Sequence, residues 1–140
     1  MANRVDTQII LDGPRNAVVK VEGLLDTSDY SKTTIIDPAS FADMDWAGQV
    51  PPATFLIDRI QFTVESPLEC RLFWDSTADV HIGIFTGTGT EKYERFGGLP
   101  NNGGAGTTGK ILLSTQGWSA SAVLSFILIF SLKKQDRLPA

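Results

Sequence analysis

Phe55-Leu56-Ile57-Asp58-Arg59-Ile60-Gln61-Phe62-Thr63-Val64-Glu65 alternates apolar and polar side chains over most of its length. Leu56, Ile60, Phe62 and Val64 fall on one face of an extended chain, and Arg59, Gln61, Thr63 and Glu65 on the other. A period of two with one dry and one wet side is the mark of a strand in an antiparallel sheet that covers a core. Asp58 is the exception, near the strand's start. Ser66-Pro67 breaks the pattern, and Cys70, Leu72 and Trp74 then alternate with Glu69 and Arg71 in a second strand. After the turn Asp75-Ser76-Thr77-Ala78-Asp79, Val80, Ile82 and Ile84 point one way in a third, which ends in Thr86-Gly87-Thr88-Gly89-Thr90.

Toward the N-terminus, residues 7–11 and 17–25 read as two extended runs joined by Asp12-Gly13-Pro14-Arg15-Asn16, residues suited to a turn. Residues 33–36 predict a short strand stopped by Asp37-Pro38, and residues 39–52 a long loop that admits one helical turn. Toward the C-terminus, residues 110–115 and 120–133 predict the last two strands. Val, Ile and Thr are abundant while Glu and Lys, the fillers of exposed helix faces, are few. About eight short strands without a convincing helix predict an all-β, single-domain antiparallel β-sandwich over residues 1–140, jelly-roll-like. Residues 97–109 form a Gly-rich surface loop expected to be flexible, and residues 1–8 an N-terminal arm.

At 140 residues, 42% hydrophobic, the chain is long enough to bury a core without disulfides or metals. Twelve basic against sixteen acidic residues give a net charge of −4, which argues against nucleic acid as a partner. Cys70 is the sole cysteine, so it has no second thiol for a disulfide, zinc cluster or redox pair. The opening Met1-Ala2-Asn3-Arg4-Val5-Asp6 does not read as a signal peptide, and the longest apolar stretch, residues 122–132, is short of the ~18 residues that span a bilayer. The expectation is a soluble protein without a membrane partner.

Several motifs invite a chemical reading. Gly104-Ala105-Gly106-Thr107-Thr108-Gly109 has the spacing G-x-G-x-x-G, but a dinucleotide or phosphate loop needs a following helix, and residues 110–115 read as a strand. Asp43-Met44-Asp45-Trp46-Ala47-Gly48 opens like a calcium loop, then puts Thr54 where a bidentate Glu belongs. His81 stands alone mid-strand, Cys70 shares the apolar face of Leu72 and Trp74, and Asp75 and Asp79 flank a turn. These read as a partly exposed strand residue, a buried small hydrophobe and turn formers, so the expectation is no catalytic residue, no metal site and no cofactor. Tyr30, Trp46 and Trp118 lie in or beside loops, where a ring either caps the core or stacks on a sugar.

The last strand has an unusual pattern. Leu124, Phe126, Leu128, Phe130 and Leu132 line one face, while the other carries Val123, Ile127 and Ile129 with only Ser125 and Ser131 to wet it. A strand apolar on both sides must be covered twice, by the N-terminal arm of the same chain or by a neighbouring subunit. The subunit is the preferred reading, with Val123, Ile127 and Ile129 as interface candidates.

The stretches from Thr7-Gln8-Ile9-Ile10-Leu11-Asp12-Gly13-Pro14-Arg15-Asn16 through Val21, Phe96-Gly97-Gly98-Leu99-Pro100-Asn101-Asn102-Gly103-Gly104, and Thr115-Gln116-Gly117-Trp118 resemble a family of small virion structural proteins of tailed bacteriophages. These are similar to head decoration, or cement, proteins. The resemblance implies a non-enzymatic β-sandwich or jelly-roll subunit, commonly a homotrimer, that binds the major capsid protein on the capsid exterior and stabilises the shell. It also implies assembly in the host cytoplasm, and no small-molecule substrate. Capsid contacts are then expected from Arg4 and Val5 in the arm and from Phe41, Asp45 and Trp46 in the following loop. The alternatives are a carbohydrate-binding or receptor-binding module of the virion, a minor tail or head-completion component, and, last, a small hydrolase using Asp75, Asp79 or His81.

Overall fold

The computed structural model describes residues 3–44 and 50–136. Nine strands run in chain order: β1 Arg4–Asp12, β2 Asn16–Leu25, β3 Thr33–Ile36, β4 Thr54–Val64, β5 Glu69–Trp74, β6 Val80–Phe85, β7 Gly87–Lys92, β8 Ile111–Gln116 and β9 Leu124–Gln135. The helical turn allowed after Asp37 is a single 3-10 turn, Pro38–Ser40, capped by the Asp37 carboxylate, which accepts from the Ala39 N–H. A second such turn, Glu94–Phe96, follows β7.

The strands form two antiparallel sheets, β1-β2-β9-β4-β7 and β3-β8-β5-β6. Their pairing is nested: β5 with β6 innermost, then β4 with β7, β3 with β8 and β2 with β9. Such a set of pairs is one long hairpin folded over on itself, with successive pairs assigned to alternate sheets. The result is a jelly roll with β1 added at one edge. The chain crosses from β6 in one sheet to β7 in the other over Thr86 alone, and Gly87 makes that corner with φ +69°.

Between the sheets, the dry face of β9 packs as its alternation predicts, with Phe126, Leu128, Phe130 and Leu132 all buried. They meet Val19 and Val21 of β2, Phe55, Ile57 and Ile60 of β4, and Leu72 and Trp74 of β5 in one cluster. Gly23 of β2 lies opposite Phe126 in register, and a Cβ there would collide with the ring.

Two β-bulges change the expected faces. The register of β4 against β9 shifts between Ile57 and Arg59, so Asp58 is the extra residue. Phe55 and Ile57 therefore point inward before the bulge and Ile60 and Val64 after it, and Leu56 lies on the outer face instead of joining them. On β6 the register shifts around Ile82, which sends Phe85 into the core and leaves Ile84 55% exposed, not aligned with Val80 as expected. A third difference is β7, whose residues read as the tail of the preceding strand. The Gly-Thr-Gly-Thr run pairs with β4 because Gly89 leaves room for the Phe62 ring across the pair.

Residues 4–8, expected as an arm, run within β1 and pair with β2 from Arg4↔Leu24 to Gln8↔Lys20. The loop 97–109 makes hydrogen bonds to β4 and to the turn that follows β5. Buried Asn101 donates to the Thr54 hydroxyl and accepts from the Gly103 N–H, while the Thr108 hydroxyl donates to Asp75.

Candidate functional site

The outer face of the five-stranded sheet is where the unexplained apolar residues of β9 lie. Because β1 joins the sheet edge instead of folding across it, no described residue of the same chain covers this face as a further layer. Cross-strand register places the side chains in rows. Ile127 stands between Glu22 of β2 and Thr63 of β4, with Asp6 and Thr88 beyond. Ile129 stands between Lys20 and Gln61, with Gln8 and Thr90 beyond. One row outward in each direction are Leu24 with Ser125, and Val18 with Ser131 and Arg59. Ile127 is 40% exposed and Val123 58%, while Ile129 is half-buried among its neighbours.

The capsid-contact candidates fare unequally. Arg4 is exposed on the same outer face and pairs with Asp6 at 3.3 Å. Val5 points the other way and packs on the core. Phe41 is a correction: it is buried, its ring edge-on to Phe55 at 4.8 Å, so it belongs to the core and offers no contact surface. Its position at the start of a loop suggested an outward side chain, but the 3-10 turn Pro38–Ser40 before it directs the ring in. Asp45 and Trp46, with most of the calcium-like motif, lie outside the described residues.

The other chemical candidates have defined surroundings. Burial pushes the Cys70 thiol up to about 12. His81 lies on the outer face of β6 with its ring 4.4 Å from that of Phe73, and the Lys32 ammonium sits 4.3 Å over the same Phe73 ring. The Ser76 N–H and then Lys32 hold the Asp79 carboxyl below its ordinary value. Asp75 accepts from Thr108 at 2.6 Å, so the two aspartates hold loops. Trp118 and Tyr30 pack against the core, and the indole N–H of Trp118 donates to the carbonyls of Leu25 and Ala122. Residues 104–109 enter β8 directly, with no helix to present amides to a phosphate. Among the described residues no three His, Cys, Asp or Glu side chains converge as a metal site, and no helix is long and apolar enough to cross a membrane.

One feature escaped the sequence reading. The Lys134 side chain is fully buried and donates to Asp12 at 2.6 Å and to the Ala42 carbonyl at 2.8 Å, while the second Asp12 oxygen accepts from the Ala42 N–H. Its signal was the phase of β9: Lys134 continues the inward series from Leu124 through Leu132, so a lysine there needs a partner.

No protein-family model matches the chain, and no curated protein matches it in sequence.

Proposed function

We propose that this protein is a structural component of a tailed-phage virion, a head decoration protein that binds the capsid exterior and braces the shell. The observation that carries the reading is the nested strand order: the jelly roll recurs in viral capsid and lectin domains. The stretches around Thr7, Phe96 and Trp118 favour the first of these. Against the lectin alternative stands Trp118, whose indole is anchored in the core through two carbonyls and so is not a free stacking platform. Copies of the subunit would meet through the outer face that carries Val123, Ile127 and Ile129, and several weak capsid contacts would then act together through high effective concentration. Arg4 supplies a capsid-contact candidate at the rim of that face.

The test is co-sedimentation of the purified protein with capsids of the parent phage lacking it. Pelleting that saturates at a fixed number of copies per capsid is expected. A protein that stays in the supernatant while a known capsid ligand pellets overturns the reading.

A further inference from the structure

We infer that a second copy of this chain docks face to face on the outer side of the five-stranded sheet, about a two-fold axis that lies across the strands between the rows of Ile127 and Ile129. The reason is that each central strand presents a series complementary to its own reverse. On β2 the outward residues run Leu24, Glu22, Lys20, Val18; on β9, Ser125, Ile127, Ile129, Ser131; on β4, Glu65, Thr63, Gln61, Arg59. Glu65 is held just past β4 by its N–H, which donates to the Ser125 carbonyl.

A half-turn about the stated axis reverses each series onto itself. Ile127 then lies against the partner's Ile129, Leu24 against the partner's Val18, Glu22 against the partner's Lys20, and Glu65 against the partner's Arg59. Ser125 meets the partner's Ser131 and Thr63 the partner's Gln61, so across the three central strands apolar meets apolar, polar meets polar and acid meets base. An isologous interface requires this self-complementarity. The trimer implied by the family resemblance does not, since a three-fold contact joins two different patches.

The charges are available for it. Among the described residues Lys20, Glu22 and Glu65 form no ion pair within the protomer, and Arg59 reaches only Glu94, at 3.6 Å. Arg4 and Asp6, already paired with each other, fall at the β1 rim. Strands about 4.8 Å apart with about 3.4 Å per residue give a face of roughly 20 by 24 Å, about 500 Å² on each partner, which is the small end of the range for pairwise contacts and fits a dimer that dissociates on dilution. Aligned packing of two such sheets keeps the strands within about 30° of each other, so the pairings hold best at the centre.

The experiment is molar mass by light scattering over a dilution series of the full chain. The wild type is expected at twice its 15.2 kDa. Lys20→Glu and Glu22→Lys each set like charges against each other and should weaken self-association more than about tenfold, with circular dichroism unchanged. The double variant on one chain again sets residue 20 opposite in charge to the partner's residue 22 and should recover the dimer, and an equimolar mixture of the two single variants, one acidic and one basic at both positions, should associate as well. A wild-type monomer or trimer, single variants that associate like the wild type, or a mixture that stays monomeric would each overturn the inference. It stands apart from the virion reading: a dimer that ignores capsids removes that reading alone, and a pelleting monomer removes only this one.

Discussion

Lys134 is the residue whose environment contradicts its type most sharply. An ammonium taken wholly out of water is tolerated here because Asp12 and the Ala42 carbonyl meet it at hydrogen-bond distance. Asp12→Ala leaves that charge uncompensated and should cost about 3–5 kcal/mol in urea unfolding, whereas Lys134→Met should cost much less, because Asp12 keeps the Ala42 N–H and partial solvent access. Equal losses from the two variants would show that the ion pair is not what matters. Cys70, with its thiol raised to about 12, should resist iodoacetamide at pH 8 in the native protein and react at once in denaturant. Asp79 has the opposite sign. Its folded pKa lies below the ordinary 3.8, so its contribution to stability is present above that value and is lost as pH falls through the lower folded value. Carboxyl chemical shifts should place its midpoint under 3.8, and Lys32→Gln should move it upward.

At the level of strands, the alternation of β9 is legible because nothing interrupts it: every second residue from Leu124 to Leu132 is buried as its chemistry demands. The misreadings of Leu56 and Ile84 share a cause. A single extra residue at Asp58 or Ile82 flips all that follows, and a bulge carries no compositional mark beyond one residue out of phase. Asp58 was that mark on β4, whereas on β6 the extra residue is an apolar isoleucine and left none. The outer pattern was half legible. Ile127 and Ile129 stand out along β9, but the rows they share with Lys20, Glu22, Gln61 and Thr63 depend on register between strands about forty to a hundred residues apart, which the sequence does not display. Replacing Ile127 and Ile129 together with Asp should give a folded monomer, because neither side chain belongs to the core; loss of near-ultraviolet circular dichroism would show that they do. Gly23→Ala, which drives a methyl into the Phe126 ring, should instead destabilise by about 1–3 kcal/mol in thermal or urea unfolding.

Across the whole molecule, the nesting of the pairs ties fold to sequence distance. β5 and β6 are joined by a short turn, while β2 and β9 are separated by most of the chain, so the pairing order runs from local to remote. Non-local pairing of this kind is slow to form, and folding on the millisecond-to-second scale is expected in stopped-flow fluorescence, which Trp74 in the core can report. Submillisecond completion would contradict it. The same nesting sets a schedule for synthesis. β9 is the last of the described strands to be translated, yet it belongs in the middle of its sheet, between β2 and β4. A nascent chain halted before Leu124 therefore holds an open slot with two unpaired strand edges. A separate peptide spanning residues 124–135 should fill that slot from outside and complete the subunit by donating its missing centre.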